Sequence, residues 1–109
     1  MNIESLYPLV SESILRAELL EEAKSPQANA AHLEVSRLEE KIAEKIPASD
    51  PEGAISRRGA VRAALAGGDI ARAENLAKRF AGDRDASPDL KAELARLLRE
   101  SADRCCAPA

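Results

Sequence analysis

The chain has 109 residues and a formal charge of −3, and 45% of it counts as hydrophobic, but twenty-two of those residues are alanine and only 23 are Leu, Ile, Val or Phe. That length suits one domain and excludes two full ones, while the absence of Trp, with one Tyr and one Phe, argues against a β-sandwich or an aromatic ligand cage and for helices packed closely through small side chains. No run approaches the roughly 20 apolar residues that cross a bilayer, and the opening Met1-Asn2-Ile3-Glu4-Ser5 lacks the basic start of a secretory signal. A cytoplasmic chain with no membrane partner is therefore expected.

The first helix is predicted to begin between Ser5 and Pro8 and to run to about Lys24. Ile3, Leu6, Val10, Ala17 and Leu20 recur at steps of three and four residues with Ser13 filling one seam position, and Ile14, Leu15 and Leu19 widen the stripe. Ser25-Pro26 then pairs a capping side chain with a residue whose missing N–H costs nothing in a first helical turn. The second helix, over 26–46, shows Ala28, Ala31, Val35, Leu38, Ile42 and Ile46 on one face until Pro47 stops it. Two helices of this length with so short a joint must run antiparallel, with the seam spacing of a short coiled coil.

Three shorter helices follow a linker at 47–50. Asp50-Pro51 starts the third, over 51–66, which carries Ala54, Val61, Ala64 and Leu65 and is weakened by Gly53 and Gly59. A close backbone approach at Gly59 is the expected compensation. Gly67-Gly68-Asp69 ends that helix and caps a fourth, over 70–81, with Ile70, Ala73, Leu76, Ala77 and Phe80 on one face and Gly82 at its close. Ser87-Pro88 starts the fifth, which uses Leu90, Leu94, Leu97, Leu98 and Ser101. The expected fold is all-α: a hairpin at 1–46, a three-helix unit at 50–104 and a frayed tail at 105–109.

The stretch from Ala63 through Gly67-Gly68-Asp69-Ile70 to Ala73 and Ala77 resembles the middle of a tetratricopeptide repeat, the resemblance spanning residues 54–81. In that family a Gly-Asp-like turn joins two antiparallel helices, a large residue follows it, and a small one lets the helices touch. Gly68-Asp69, Ile70 and Ala73 would take those places, whereas Arg57 and Val61 depart from the pattern of the first helix and no second copy follows. The resemblance implies a helical hairpin, peptide or protein binding, and no catalysis.

Chemistry-bearing motifs are sparse. No Gly-rich loop ends in Gly-Lys-Ser/Thr, so a nucleotide cradle is not expected. His32 stands alone on its helix, and the adjacent Cys105 and Cys106 lack the spacing of a zinc site, so no metal or cofactor is expected. Cys106 is fourth from the end, but Pro108 occupies a position where a prenylation signal wants an aliphatic residue. Glu21-Glu22 and Glu39-Glu40 are expected on outer helix faces, giving solubility rather than acid–base work. No catalytic residue is assigned.

Charge is unevenly spread: residues 1–50 carry −5, while 55–84 carry seven basic against three acidic groups. Arginines early in a helix oppose its dipole and need some compensation. One source is intramolecular, the basic helices lying across the acidic hairpin. The other is phosphate, with Arg57, Arg58, Arg62, Arg72 and Arg79 forming a nucleic-acid-binding face. The primary expectation is a protein-interaction module (an adaptor, assembly factor or chaperone-like protein) whose thin core is completed by a protein or peptide partner. Homodimerisation into a four-helix bundle is its simplest version, with Leu6, Val10, Leu20, Val35, Leu38 and Ile42 carrying the surface. Leu65, Ile70, Leu76 and Phe80 would hold the second unit together.

Overall fold

The computed structural model describes residues 2–106, excepting the side chains of 103–106. It contains five helices and, among the described residues, no strand: α1 Ile3–Glu22, α2 Ala28–Lys45, α3 Pro51–Ala66, α4 Ile70–Ala81 and α5 Pro88–Cys106. Among the described residues, no helix is long and apolar enough to cross a membrane.

Local chemistry sets most of the boundaries. The Asp50 carboxylate accepts from the Glu52 N–H at 2.9 Å, Asp69 from the Arg72 N–H at 3.0 Å, and the Ser87 hydroxyl from the Leu90 N–H at 3.1 Å. Each satisfies a donor that the first turn leaves free. Ser25 does the same one turn ahead of α2, accepting from the Gln27 N–H at 3.1 Å. The start of α1 departs from expectation. Asn2, not a residue near Pro8, caps the helix by accepting from the Ser5 N–H at 2.9 Å, and Pro8 sits inside it. A proline in the second turn forfeits one bond, to the Glu4 carbonyl, and a single such loss is tolerated near a helix start. At the other end α5 continues through Cys105 and Cys106, so the frayed tail expected from 105 does not begin there. The remainder of that segment, 107–109, lies outside the described residues.

Two turns use a left-handed residue. At Gly68, φ is 80°, and the N–H groups of Gly68 and Asp69 return to the Leu65 and Ala64 carbonyls at 3.0 and 2.9 Å. At Lys24, φ is 54°, with Lys24 and Ser25 bonded in the same way to Glu21 and Leu20, both at 2.9 Å. Glycine occupies that conformation freely and lysine does not. Lys24→Gly is therefore expected to raise the unfolding free energy by about 0.5–1 kcal/mol, and Gly68→Ala to lower it by about 1 kcal/mol. Urea midpoints of the two variants check both signs.

The helices form a slab measuring 39 × 33 × 17 Å. Its exposed area, 6808 Å², exceeds the roughly 6,000 Å² expected of a compact chain this size. α1 packs along α2 and reaches α3 only through side chains. α2 packs on α3 as extensively as on α1, so the border expected between hairpin and three-helix unit is itself a close helix pair. α3 also meets α4 and α5, and the largest apolar cluster lies there, around Val61, Ala64, Ala73, Leu76, Phe80, Leu90, Leu94 and Leu97. Of the four residues expected to hold this unit together, Leu76 and Phe80 are buried while Leu65 and Ile70 are half-buried. Leu6, Val10, Leu38 and Ile42 make a second cluster inside the hairpin, and Ala17, Val35 and Ala63 a third that joins α1, α2 and α3.

Candidate functional site

The residues expected to face a partner are placed inside the chain. Leu6, Val10, Val35, Leu38 and Ile42 are buried and Leu20 is half-buried, because each hairpin helix presents its stripe to the other and α2 gives its remaining face to α3. A dimer built on this seam would have to open the hairpin. What α1 leaves bare is the widened part of its stripe, with Leu15 58% and Leu19 56% exposed and Ile14 and Tyr7 beside them.

The basic residues are also largely committed. Arg57, expected to meet phosphate, is only 6% exposed. Its Nη1 donates to the Ile46 and Gly53 carbonyls, both at 2.9 Å, its Nη2 to the Ala43 carbonyl at 3.1 Å, and its Nε to Asp83 at 3.0 Å. Pro47 has no N–H to serve the Ala43 carbonyl, so the guanidinium replaces it and meets the negative end of the α2 dipole. Arg57 and Arg79 lie 5.5 and 5.2 Å from the centroid of Phe80, within cation–π range. Close by, the Ser49 N–H bonds Asp85 at 3.1 Å, which leads the causes holding the Asp85 carboxyl below its usual range.

Arg72 and Arg79 bracket Glu40 of α2 at 2.7 and 2.6 Å. Arg72 Nε also donates to the Ser36 hydroxyl, which in turn donates to the Ala60 carbonyl at 2.7 Å. Burial works against the Glu40 charge, but the hydrogen bonds from Arg79 and Arg72 outweigh it and hold the carboxyl below the usual range. Arg72 and Arg79 thus reach from α4 to the acidic hairpin through their side chains, while α4 itself packs on α3 and α5. Of the five arginines only Arg58, half-buried, and Arg62, exposed, make no hydrogen bond or ion pair among the described residues.

Because α1 and α3 both flank α2 without packing on each other, they form the walls of a groove with α2 as its floor. The groove has a volume of about 380 Å³ and is lined by Ile14, Ala17 and Glu18 of α1, His32, Val35 and Glu39 of α2, and Ile55, Gly59, Arg62 and Ala63 of α3. Ile55, on the α3 wall, is 56% exposed. At one end the Tyr7 hydroxyl donates to Glu52 across the gap, a bond to a carboxylate that pushes the phenol up to about 12. Ala66 also lines the α3 wall, which from Ile55 to Ala66 spans about 17 Å, three turns of helix.

Two polar groups in the groove combine burial with the absence of a hydrogen-bond partner among the described residues. His32 Nε2 is buried 3.4 Å from Glu21 without forming a hydrogen bond. Glu39, expected on an outer face, is 8% exposed. Burial pushes its carboxyl up to about 7, with Arg62 pulling the other way. Gly59 makes the room: a Cβ there would stand 2.0 Å from Glu39 Oε2, so what lies close to Gly59 is this side chain and not the backbone expected. Adjacent glutamates thus face opposite ways, Glu40 toward two arginines and Glu39 into an apolar groove.

Two other hollows offer less. One of about 450 Å³ lies between α3, the start of α4 and α5, and its Glu100 is already paired with Arg96. The other, about 320 Å³, is the Arg72–Glu40–Arg79 network itself. Comparison of the chain with family models, with curated proteins and with solved structures finds no match.

Proposed function

We propose that the protein is a small helical interaction module whose groove between α1 and α3 receives one helix of a partner protein. The observation that carries this reading is the open groove beside α2, with Ile14 and Ile55 exposed on its two walls and a length along α3 of about three helical turns. An amphipathic helix laid there would complete a four-helix arrangement and cover apolar surface that the chain leaves wet. The resemblance of the α3–α4 joint to a tetratricopeptide hairpin points to the same class. A nucleic-acid face has less to build on, since Arg57, Arg72 and Arg79 are engaged within the chain.

Panning a displayed library of amphipathic helices against the full chain tests the proposal. Recovered peptides should shift the amide resonances of Ile14, Ile55, Gly59 and Ala63, and Ile55→Glu should weaken them at least tenfold while leaving the melting temperature nearly unchanged. Ile55 is exposed enough for that substitution to spare the fold. Recovery of no helix, or a footprint elsewhere, would overturn the reading.

A further inference from the structure

We propose that the helix received by the groove carries a lysine or arginine whose charge pairs with Glu39. This rests on the reading of the groove as a helix-docking site and names the chemistry of its occupant. Glu39 lies on the α2 floor with Val35 and His32, between Ala17 of α1 and Ala63 of α3, with Gly59 against its carboxyl. It makes no hydrogen bond or ion pair among the described residues, and Arg62, exposed on the rim, acts on it only through space.

An apolar helix covering this carboxyl would remove its remaining water and return no donor, which is the expensive way to bury a polar group. A protonated Glu39 would still need an acceptor. A cation solves both problems, because it favours the ionised form and donates to it. Of the other ionisable groups in the groove, Glu18 on the α1 wall shares the sign of Glu39, while Arg62 stands on the exposed rim and His32 on α2. Helix α1 as a whole carries five glutamates against one arginine. A second copy of the chain fits less well, since its own bare apolar helix, α1, would bring glutamates against glutamates.

The same helix library distinguishes the two levels of the proposal. Helices recovered on the native chain should share one lysine or arginine at a fixed position among the groove-facing residues. Glu39→Gln should weaken these peptides at least tenfold without lowering the melting temperature. Exchanging the basic residue for norleucine should cost as much on the native chain and little on Glu39→Gln, which closes a double-mutant cycle on the pair. Helices that bind in the groove with no basic preference would overturn this inference and leave the docking site standing. Recovery of no helix would remove both. A particle mass near twice 11.7 kDa with Ile14 and Ile55 protected would put a second copy in the groove and likewise overturn the inference.

Discussion

Replacing Arg57 with methionine is expected to lower the unfolding free energy by about 3–5 kcal/mol, the range for removing one side of a buried charged network. The guanidinium serves three carbonyls, Ala43, Ile46 and Gly53, and the Asp83 carboxylate. Methionine matches its stem but supplies no donor, so buried acceptors at the end of α2 are stranded at about 1–3 kcal/mol each. Because a domain of this size has only about 5–15 kcal/mol in hand, the variant should show a much lower urea midpoint or fail to fold at room temperature. Arg57→Lys should recover only part of the loss, since a single ammonium cannot span the positions the planar fork reaches. Arg58→Met, one residue along and outside this network, should change stability by no more than about 0.5 kcal/mol. Equal effects at 57 and 58 would refute the assignment of Arg57 to the interior.

Glu39→Gln is expected to stabilise the protein at pH 8 by about 1–2 kcal/mol, after allowing for solvent screening at the groove mouth, and to change little at pH 5. The native carboxyl titrates near 7, against about 4.3 in an unfolded chain, so the folded state holds this proton more tightly. The stability that proton contributes is complete below about pH 4.3 and is lost as pH rises through 7. Glutamine has no charge to bury and escapes the loss. The charged and titratable groups around the site are Glu18 on α1, His32 on α2 and Arg62 on α3, all present in both proteins. Glu40 and Asp85, held below the usual range, add stability that disappears in acid, the opposite dependence. The difference in urea midpoint between variant and native chain cancels these shared terms. Parallel curves from pH 5 to 8 would show that Glu39 is not buried in solution.

How much of this was legible in the residues depended on whether a signal was local. The bounds of α3 and α4 and the start of α5 followed from a capping side chain two or three residues from the N–H it serves, together with a proline or a glycine pair. Pro8 misled the same reasoning, because a proline also survives in the second turn and Asn2 was the stronger cap. The seam of the hairpin was readable from spacing alone. Its role was not, since a stripe facing another helix of the same chain and one facing a partner have the same period.

Arg57 and Glu39 were missed for a further reason. Three of the acceptors of Arg57 are backbone carbonyls, which no side chain advertises, and its carboxylate partner lies twenty-six residues away. Pro47 was the available hint, because it leaves the Ala43 carbonyl without a donor. Glu39 looked like half of an exposed pair until α3 crossed above it with a glycine at the crossing. The groove itself depends on α1 and α3 staying apart, and the one trace of that in the chain was the breadth of the α1 stripe. Ile14, Leu15 and Leu19 extend it further round the helix than a single neighbour can cover.

The placement of α1 at the rim of the slab has a consequence for how the molecule comes apart. With α2 as the one helix it packs along, α1 can peel away by breaking that interface and the Tyr7–Glu52 hydrogen bond, whereas release of α3 would undo three interfaces. Cohesion is therefore graded across the fold, weakest at the margin and strongest at the centre. A guest bridging the outer helix to α3 would clamp that margin shut, so occupancy and resistance to unravelling would rise together.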